Sequence, residues 1–588
     1  MRRQAGALLW RAGIAVALVC AIGVLPWVSH TDPALTVLKA RSADRDPTPE
    51  VLADIRAQLD LDAGPFHLLG QWAGGLWHGD LGRSWLSGGE VAPEVFRALG
   101  VSLLLMAAAL VVAFVTAALI CARTLRLGAR RRLDGRRAGT GSAVLAALPE
   151  FLTATVLATV VGVQLGWLPA LGWYGPQWTV LPALALGLPA GAVLGRLLDD
   201  LLPGAFAEPW ALAAAARGLP GRRIARQALR RGLPGLLPNT GLFVVGITGG
   251  AVAVEQIFDI PGLGRTTLQA ALAQDLPVLQ AGALLLVLLA ATASGLARLG
   301  TRLLTGPALR DGALPTLHRP TPPSRTLQPL LYGGVLLGVV ALGLPRDPLA
   351  LDTGARLQPP STAHPFGTDA LGRDVLARVA HGALDTLLLA LAIGAVALLT
   401  GVLLGLAPRL SGPLVDTVTA LPPVLVALLV TAVAGSGSAT PALAVATVAW
   451  APLAAHTSAL LRQERAALHL TATRALGAGR GHLLRYELLP AVLPPVTRHA
   501  LLRLPGIALA LASLAFLGLG AQPPSPEWGL LLAENQPYAE RAPWAVLAPA
   551  AVLALLGALA VTAAGGIRLP KWRAPEAAAR PKELAVTS

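Results

Sequence analysis

The chain has 588 residues, of which 54% are hydrophobic and 13% are charged, and its mean hydropathy is +0.62. These values exclude an ordinary soluble protein and indicate a polytopic membrane protein. The net charge of +15 would suit a nucleic-acid-binding protein, but the basic residues lie in short loops between apolar runs. That arrangement is typical of positive-inside membrane topology, so we expect membrane lipids and no nucleic acid as partners.

The first apolar run, residues 12–28, follows a short basic N-terminus and predicts a membrane span with the N-terminus in the cytoplasm. Residues 29–97 then form a predicted exported region, in which residues 48–59 have the pattern of a helix. The region ends in the string WAGGLWHGDLGRSW, at residues 72–85.

Five further apolar runs complete a predicted first half, residues 1–305. They lie at about 101–122 and 142–166, then in a run that ends near Leu198, then at about 236–254, and in a run that ends near Leu299. The loop after the first of these runs contains seven arginines and a single acid, Asp134, which places it in the cytoplasm. In the next run Pro149 is expected to kink the helix.

Glu150 is the notable acidic residue within a predicted span. A charged side chain at the centre of a membrane costs about 2.5–3.5 kcal/mol on insertion scales, so a span that keeps one usually uses it. Two interpretations stay open. Glu150 either faces a transport path and attracts a cationic group of the solute, or pairs with a loop arginine near the cytoplasmic interface.

The same plan then restarts after residues 306–327, an arginine- and proline-rich segment that we predict to be a cytoplasmic linker. A second half, residues 328–574, precedes a predicted cytoplasmic tail at 575–588. Its six apolar runs lie at about 330–344, 387–406, 414–434 and 442–461, in a run that leads into SLAFLGLGAQPPSPEWG at 513–529, and at about 544–564. Its exported region, 345–382, contains the string HPFGTDALGRDV.

A polar, arginine-bearing segment recurs between the fourth and fifth runs of each half, at residues 200–234 and 462–495. Each copy has small residues, then a glycine, then a basic helical tract, then a proline, which indicates one design used twice. The small residues would let a short helix lie close to a partner surface, and the glycine would permit a sharp bend. The residues assigned to this role are Ala214, Ala216, Gly218, Ala472, Ala475, Gly477, Leu489 and Pro490.

These two segments resemble the EAA loops of binding-protein-dependent ABC importer permeases of the dipeptide, oligopeptide and nickel type, which dock into ATPase subunits. The second copy keeps the family spacing, with Gly477 thirteen residues before Pro490, but it has Thr471 where the family prefers glutamate. The first copy has Ala213 at the corresponding position. The exported strings resemble motifs of the same family through Gly79, Asp80, Gly82, Arg83, Glu255, Phe258, Pro261, Gly262, Gly264, His364, Gly367, Thr368, Asp369, Gly372, Arg373, Asp374, Pro523, Pro524, Trp528 and Gly529.

The resemblance covers residues 8–310 and 328–573 and implies a natural fusion of two usually separate permease subunits. It implies an all-α polytopic membrane protein of about twelve helices, with two six-helix halves and an exported segment after the first helix of each. It further implies inward transport of di- or oligopeptides or nickel-type solutes by alternating access. The implied setting is the inner membrane of a bacterium, with both termini cytoplasmic, an external solute-binding protein, two ATPase domains and one copy of this chain.

No GxxxxGK[ST] phosphate-binding loop occurs in the sequence, so we expect ATP and Mg²⁺ to be bound by the partner ATPases and no cofactor by this chain. We predict no catalytic residue, because His364 and Asp369, which could be imagined as an acid–base pair, belong to a string that the resemblance explains as structural. Cys20 and Cys121 lie in or at the edge of predicted spans, so we predict no disulfide framework and no metal site. The alternative is an ion-coupled secondary transporter of twelve helices, which would need further ionisable residues within its spans. A scaffold protein would not need two coupling-type segments.

Overall fold

The computed structural model describes residues 13, 16–17, 19–28, 34–35, 37–38, 48–58, 63–133, 140–233, 237–305, 327–419, 422–435 and 437–566. Within these ranges the regular structure is helical apart from two isolated bridges, Arg83 with Glu90 and Thr368 with Asp374. Residues 306–326 of the predicted linker and the whole predicted tail, 575–588, lie outside the described residues.

In the described part of the first half, a helical turn at Leu25–Val28 precedes the predicted exported region, which contains two helices. The helices of this half are α1 (Pro49–Gln58), α2 (Pro65–His78), α3 (Val91–Ala129), α4 (Thr140–Ala147), α5 (Glu150–Leu157), α6 (Val180–Ala207), α7 (Pro209–Ala216), α8 (Gly221–Gly232), α9 (Leu237–Ile257), α10 (Leu263–Leu272) and α11 (Leu276–Thr305). A π-helix, Ala158–Gln164, extends α5, and a 3₁₀ turn, Pro176–Thr179, precedes α6.

The second half repeats this order. Its helices are α12 (Leu327–Gly343), α13 (Val375–Gly405), α14 (Pro408–Thr419), α15 (Pro423–Ala434), α16 (Ala439–Arg465), α17 (Leu468–Ala475), α18 (Leu489–Phe516), α19 (Trp528–Asn535) and α20 (Pro543–Gly566). A helical turn, Arg480–His482, and a π-helix, Leu483–Leu488, lead directly into α18, and 3₁₀ turns occur at Thr353–Ala355 and Gln536–Tyr538.

Seven described helical segments are long and apolar enough to cross a membrane: Val91–Ala129, Pro176–Ala207, Leu276–Ala293, Val375–Gly405, Ala439–Arg465, Arg480–Phe516 and Pro543–Ala563. Three shorter apolar helices, Glu150–Gln164, Leu327–Gly343 and Pro423–Ala434, accompany them. With α9, which has 21 residues, these segments coincide with predicted spans two to twelve. The first predicted span, 12–28, is only partly described. The predicted all-α polytopic architecture is confirmed.

The third predicted span, 142–166, is broken at Pro149, where we expected a kink, and the ninth, 414–434, is broken where we expected a continuous helix. The third is interrupted at Pro149, whose backbone is extended with φ −64° and ψ 151°, so that α5 starts anew at Glu150. The ninth is interrupted in the same way before α15, where Pro422 has φ −63° and ψ 134°. A proline lacks the amide hydrogen of a continuing helix, which favours an interruption at both sites, although α6, α16 and α18 continue through prolines.

Small residues allow the long helices of each half to approach closely. In the first half α6 packs along α3, and a methyl group at Gly187 would lie 2.6 Å from the carbonyl oxygen of Ala109. In the second half α16 packs along α13, but the glycines lie on α13, where a methyl at Gly405 would be 2.9 Å from the Ala454 oxygen. Close contact through small residues is the usual way in which membrane helices associate, because lipid supplies no hydrophobic driving force.

The two halves pack into one continuous core. A single cluster of buried apolar residues extends from α3, α5 and α6 of the first half to α13, α16, α18 and α20 of the second. Helix α20 contacts α4 and α5, and α15 contacts α9, α10 and α11. At the centre the rings of Phe151 and Phe516, one from each half, have centroids 5.9 Å apart.

Candidate functional site

The two coupling-type segments have the same local geometry. In the first, Gly218 has φ +73°, its amide donates to the Ala215 oxygen (3.0 Å) and the next amide, of Leu219, donates to the Ala214 oxygen (3.1 Å). This pattern is the Schellman motif that ends a helix at a left-handed residue. The sharp bend that the sequence predicted at this glycine is therefore present.

The second segment repeats the motif. Gly477 has φ +92°, its amide donates to the Arg474 oxygen (3.0 Å), and Ala478 donates to the Thr473 oxygen (3.3 Å). Among the described residues, no heavy atom beyond the immediate chain neighbours lies within 4 Å of the position that a Cβ would take on Gly218 or Gly477. The requirement for glycine thus comes from the left-handed backbone and not from crowding, because residues with a side chain are disfavoured at positive φ.

Each bent segment is fixed to the spans of its own half. In the first, Ala228 of α8 packs into a small apolar cluster with Cys121, Leu198 and Leu202 of α3 and α6. In the second, Leu470 and Leu483 pack with Leu461 and Leu488, at the ends of α16 and α18. A force applied to either segment would therefore be transmitted to the spans that flank it.

The outward faces of the two segments differ in chemistry. The face of α8 is strongly basic, with exposed arginines at Arg222, Arg223, Arg226 and Arg230. The second segment also exposes arginines, at Arg474, Arg480 and Arg485. It adds more exposed apolar surface, with Leu468 87% exposed, Leu476 89% exposed and Tyr486 exposed, against Leu212 in the first segment. The predicted contact residues Ala216, Ala472, Ala475 and Pro490 are exposed, and Ala214 and Leu489 are half-buried. Pro234, the proline of the first copy, lies outside the described residues.

The predicted exported strings of the first half form a connected network. Asp80 accepts a hydrogen bond from the Gly82 amide (2.8 Å), and Gly79 ends α2 in a left-handed conformation. The hydroxyl of Ser84 and the amide of Trp85 both donate to Asp275, which immediately precedes α11. The GDLGRS string, at 79–84, and the D-x-P string, at 275–277, are far apart in sequence but meet in space.

Glu255, Phe258, Pro261, Gly262 and Gly264 form one string, E-x2-F-x2-PG-x-G, and its contacts are organised around Glu255. One carboxylate oxygen accepts from the Ser102 hydroxyl (2.5 Å), and the other accepts from the Arg265 amide (2.9 Å) in the first turn of α10. The carboxylate therefore caps a helix whose own N-cap, Gly262, has no side chain. A side chain at Gly262 or Gly264 would collide with this carboxylate, which explains both glycines. Phe258 is buried, and Pro261 precedes the cap.

In the second half Asp369 is the centre of a buried network. Its carboxylate accepts from Arg373 Nε (2.7 Å) and Arg378 Nη1 (3.0 Å) and from the amides of Leu371 and Arg373 (both 2.9 Å). Both arginines also reach Glu534 of α19, at 3.0 and 2.7 Å. This paired network fixes the exported loop on α13 and α19.

Asp374 caps α13 through the Ala377 amide (3.1 Å) and contacts His364 (3.0 Å) and Arg346 (2.7 Å). Burial by itself would raise the pKa of Asp374, but the bonds from His364, Ala377 and Arg346 together lower it below its ordinary value. His364 and Asp369 do not contact each other in this network; each has its own partners. The arrangement supports a structural role for this string rather than acid–base chemistry.

The remaining exported motif residues are also tightly packed. Thr368 donates to the Ala355 oxygen, and a side chain at Gly367 or Gly372 would meet Trp544 or the Asp352 backbone. Trp528 is buried and its indole donates to the Val379 oxygen (2.8 Å), while Gly529 lies against the backbone of Ala512. Pro523 and Pro524 lie in the loop before α19. Glu527, the N-cap of α19, accepts from the Leu530 amide (3.2 Å).

Glu150 lies near the junction of the two halves. It packs against α9, where a methyl at Gly250 would be 3.0 Å from its Cγ, and the neighbouring Gly249 faces Pro422 of the second half. Among the described residues no arginine forms an ion pair with Glu150. Two arginines of the preceding loop, Arg136 and Arg137, lie outside the described residues, so both interpretations of Glu150 stay open.

Sequence reasoning did not identify several residues that connect the halves or complete the networks. Gln164 donates to the backbone oxygen of Ala539 (2.8 Å), and Gln536 donates to that of Ile257 (3.4 Å), each across the junction. Ser102, Arg378 and Glu534 were likewise not singled out. Arg378 lies three residues after the HPFGTDALGRDV string, in the first turn of α13, so its nearness to the string could have been used as a signal. Glu534 is far from the string in sequence and carries no such signal.

Sequence comparisons match both halves of the chain to one protein family. The family described as "Binding-protein-dependent transport system inner membrane component" matches twice, at residues 115–305 and 393–567. Two similar proteins are a di/tripeptide transport system permease protein DppC of Pseudomonas aeruginosa (strain UCBPP-PA14), 39% identical over 181 residues, and a probable D,D-dipeptide transport system permease protein DdpC of Escherichia coli (strain K12), 36% identical over 203 residues. The alignments cover 29% and 33% of this chain and 60% and 67% of those relatives.

A putative peptide transport system permease protein of Brucella abortus (strain 2308) is 32% identical over 266 residues, which is 42% of this chain and 80% of that protein. Each relative therefore matches less than half of the present chain. The first of the three is itself covered over less than two thirds of its length.

Proposed function

The chain belongs to the family of binding-protein-dependent transport system inner membrane components, and on that premise we propose that it is the complete membrane permease of an ATP-driven importer. The two family matches, separated by the linker region, correspond to the two structural halves. In this proposal one chain supplies what two permease subunits usually supply, and solute moves inward by alternating access between the halves.

The observation that carries the proposal is the pair of glycine-centred helical bends, Pro209–Ala216 and Leu468–Ala475 with their following turns. They occupy equivalent places in the two halves, share one backbone geometry, and are each anchored to their own spans. We propose that each bend docks in one ATPase domain, so that the closing of two ATPases moves the two halves relative to each other. ATP and Mg²⁺ are then bound by those partners, and this chain is not itself catalytic.

For the solute we propose di- or oligopeptides delivered by an external solute-binding protein. The names of the relatives refer to dipeptides, tripeptides and peptides, which favours peptides over the nickel-type solutes that the sequence resemblance also admitted. The proposed location is the inner membrane of a bacterium, with both termini cytoplasmic.

Uptake by reconstituted complex tests this proposal. The tagged chain would be purified from its native cells with its associated subunits and placed in proteoliposomes. ATP would be supplied on the side of the membrane that the ATPases face, and a labelled dipeptide with the binding protein on the other side. We expect uptake that requires ATP and persists when a protonophore collapses the ion gradient. Uptake that needs an ion gradient and ignores ATP would favour the secondary transporter instead.

A further inference from the structure

Two adjoining cavities lie at the exported end of the second half, away from both coupling-type bends. The inner one has a volume of about 200 Å³ and lies between α13, α16, α18 and the loop that precedes α19. The outer one, of about 420 Å³, lies between α13 and the same loop. Asp385 and Ser525 line both, so the two form one recess with an inner and an outer part. We call it the α13 recess.

The lining of the α13 recess is acidic. Asp385 and Glu527 both line the inner part, and neither part has a lysine or arginine among its described lining residues. The nearby Arg378 binds Asp369 and Glu534 through Nη1 and the Ser525 oxygen through Nη2, while its buried Nε has no hydrogen-bond partner among the described residues. His381 borders the outer part, and its Nδ1 lies 2.9 Å from the Ala377 oxygen. The two carboxylates therefore face a space with no permanent cation of the chain.

The pKa of Glu527 is shifted by this acidic, buried environment. Burial raises the pKa of its carboxyl to about 7, the amides of Leu530 and Gly529 lower it in part, and the charge of Asp385 raises it further. Each carboxylate has about four acceptor sites, so the cap that Glu527 provides to α19 leaves acceptor capacity for a ligand. A cation in the recess would relieve the repulsion between the two acids.

A third acceptor is Thr386, which is 2% exposed and lines the inner part. Its hydroxyl has no hydrogen-bond partner among the described residues. Other helical threonines behave differently: Thr400, Thr431 and Thr457 all donate to the carbonyl four residues earlier. A buried hydroxyl without a partner costs free energy, which a ligand at this position would recover.

The recess lies at the predicted exported end of α13, next to exposed apolar side chains of that helix. The exported loop residues Pro348 and Pro524 border its outer part, and Asp385 lies in the third turn of α13. On the same helix Leu384, Leu388 and Leu391 are exposed apolar side chains that suit contact with lipid tails. The acids therefore stand at the boundary between the apolar belt and the exported surface.

We propose that the α13 recess binds a primary ammonium group, such as the headgroup of an ethanolamine lipid in the outer leaflet or a free small amine. A primary ammonium has three N–H donors, which match the carboxylates of Asp385 and Glu527 and the hydroxyl of Thr386. A quaternary ammonium has none and would leave the hydroxyl unsatisfied. This site is independent of the proposed transport function.

The test uses the purified full-length chain in nanodiscs of two compositions, one rich in phosphatidylethanolamine and one in phosphatidylcholine, with equal anionic lipid. We expect a higher melting temperature in the ethanolamine lipid. The double variant Asp385→Asn with Glu527→Gln should lose that difference, Thr386→Val should reduce it, and the matched control Glu540→Gln, an exposed carboxyl of the exported side, should retain it. Asparagine and glutamine keep the shapes and the cap acceptor, so these variants should fold.

The source of the amine is decided by a second titration, in phosphatidylcholine nanodiscs, with ethanolamine and with N-acetylethanolamine as its uncharged counterpart. Stabilisation by ethanolamine alone, weakened about tenfold by Asp385→Asn, which corresponds to about 1.4 kcal/mol, would support a site for free amines. Stabilisation only by the lipid would support a headgroup site. A wild-type chain that distinguishes neither the two lipids nor the two amines would overturn the proposal, as would a lipid difference that persists in the double variant.

Discussion

Individual carboxylates on the exported side act mainly as helix caps. Glu255 caps α10 from the preceding span, Asp374 caps α13, and Glu527 caps α19. Each supplies an acceptor to amide groups that a helix leaves unpaired at its N-terminus. The motif acids that the sequence pointed to therefore explain how exported loops are held, and their roles in transport stay predictions.

Glu527→Gln should change how stability depends on pH. The folded pKa of Glu527 is about 7, against an ordinary value of 4.5, so between these values the folded chain keeps a proton that the unfolded chain has released. Its contribution to stability is thus fully present below about pH 4.5 and is lost as the pH rises towards 7. Glutamine has no such loss. We expect the variant to gain a few degrees in melting temperature relative to the wild type between pH 5 and pH 8.

The measurement is a melting curve of each purified protein in the same lipid at several pH values. Glu540→Gln, a change to an exposed carboxyl on the same side, serves as the control and should run parallel to the wild type. A Glu527→Gln curve that also stays parallel would show that this carboxyl is not perturbed.

Glu150→Gln should alter transport selectivity if Glu150 faces the path. Its position beside α9 at the junction of the halves would let its charge attract a cationic side chain of the solute. We expect a severalfold lower uptake of lysine-containing dipeptides and little change for neutral ones. Glu94→Gln, at an exposed acid in the first turn of α3, is the control. Unchanged uptake across solutes of differing charge would remove the pathway interpretation.

At the scale of elements, the sequence predicted most of the helices because long apolar runs bounded by arginines leave few alternatives in a membrane. It also predicted the bends at Gly218 and Gly477, whose positive φ values agree. The prolines at 149 and 422 carried a signal for interruption that we used only at the first. Contacts such as Ser84 with Asp275, or Arg378 with Glu534, could not be predicted because nothing in a single sequence links residues so distant.

Gly477→Val should abolish transport and weaken ATPase association while the chain stays inserted. Valine is β-branched and strongly disfavoured at φ +92°, so the Schellman bend would be lost and the exposed surface around it displaced. We predict a weaker effect for Gly218→Val, because the first copy departs further from the family spacing. Co-purification of ATPase, normalised to inserted permease, measures both.

Gly479→Val provides the matched control for this experiment. Gly479 lies two residues further on, has φ −71°, and has open space around the position of a Cβ, so valine should be tolerated there. Wild-type recovery of ATPase with Gly477→Val would contradict a docking role for this bend. Equal losses with Gly477→Val and Gly479→Val would show that any bulky residue in the segment is harmful.

At the scale of the whole molecule, the linker should lie in the cytoplasm together with both termini. Residues 306–326 are outside the described residues, so this rests on the sequence, in which the inner loops are rich in arginine while the 255–277 segment carries three acids against Arg265. We expect a cysteine placed at Ser324 in a cysteine-free background to resist an impermeant reagent added to intact cells. Robust labelling from outside would reverse the proposed topology.

The central claim is that one chain forms the entire membrane core. Its two halves share one apolar core, and side-chain hydrogen bonds to the backbone, such as that from Gln164 to the Ala539 oxygen, join them across the junction. No second copy is then required to complete a pair of halves or a pair of docking bends. The direct measurement is the mass of the purified complex. We predict one copy of this 60.2 kDa chain together with two ATPase domains, and a complex that contains two copies of this chain would contradict the claim.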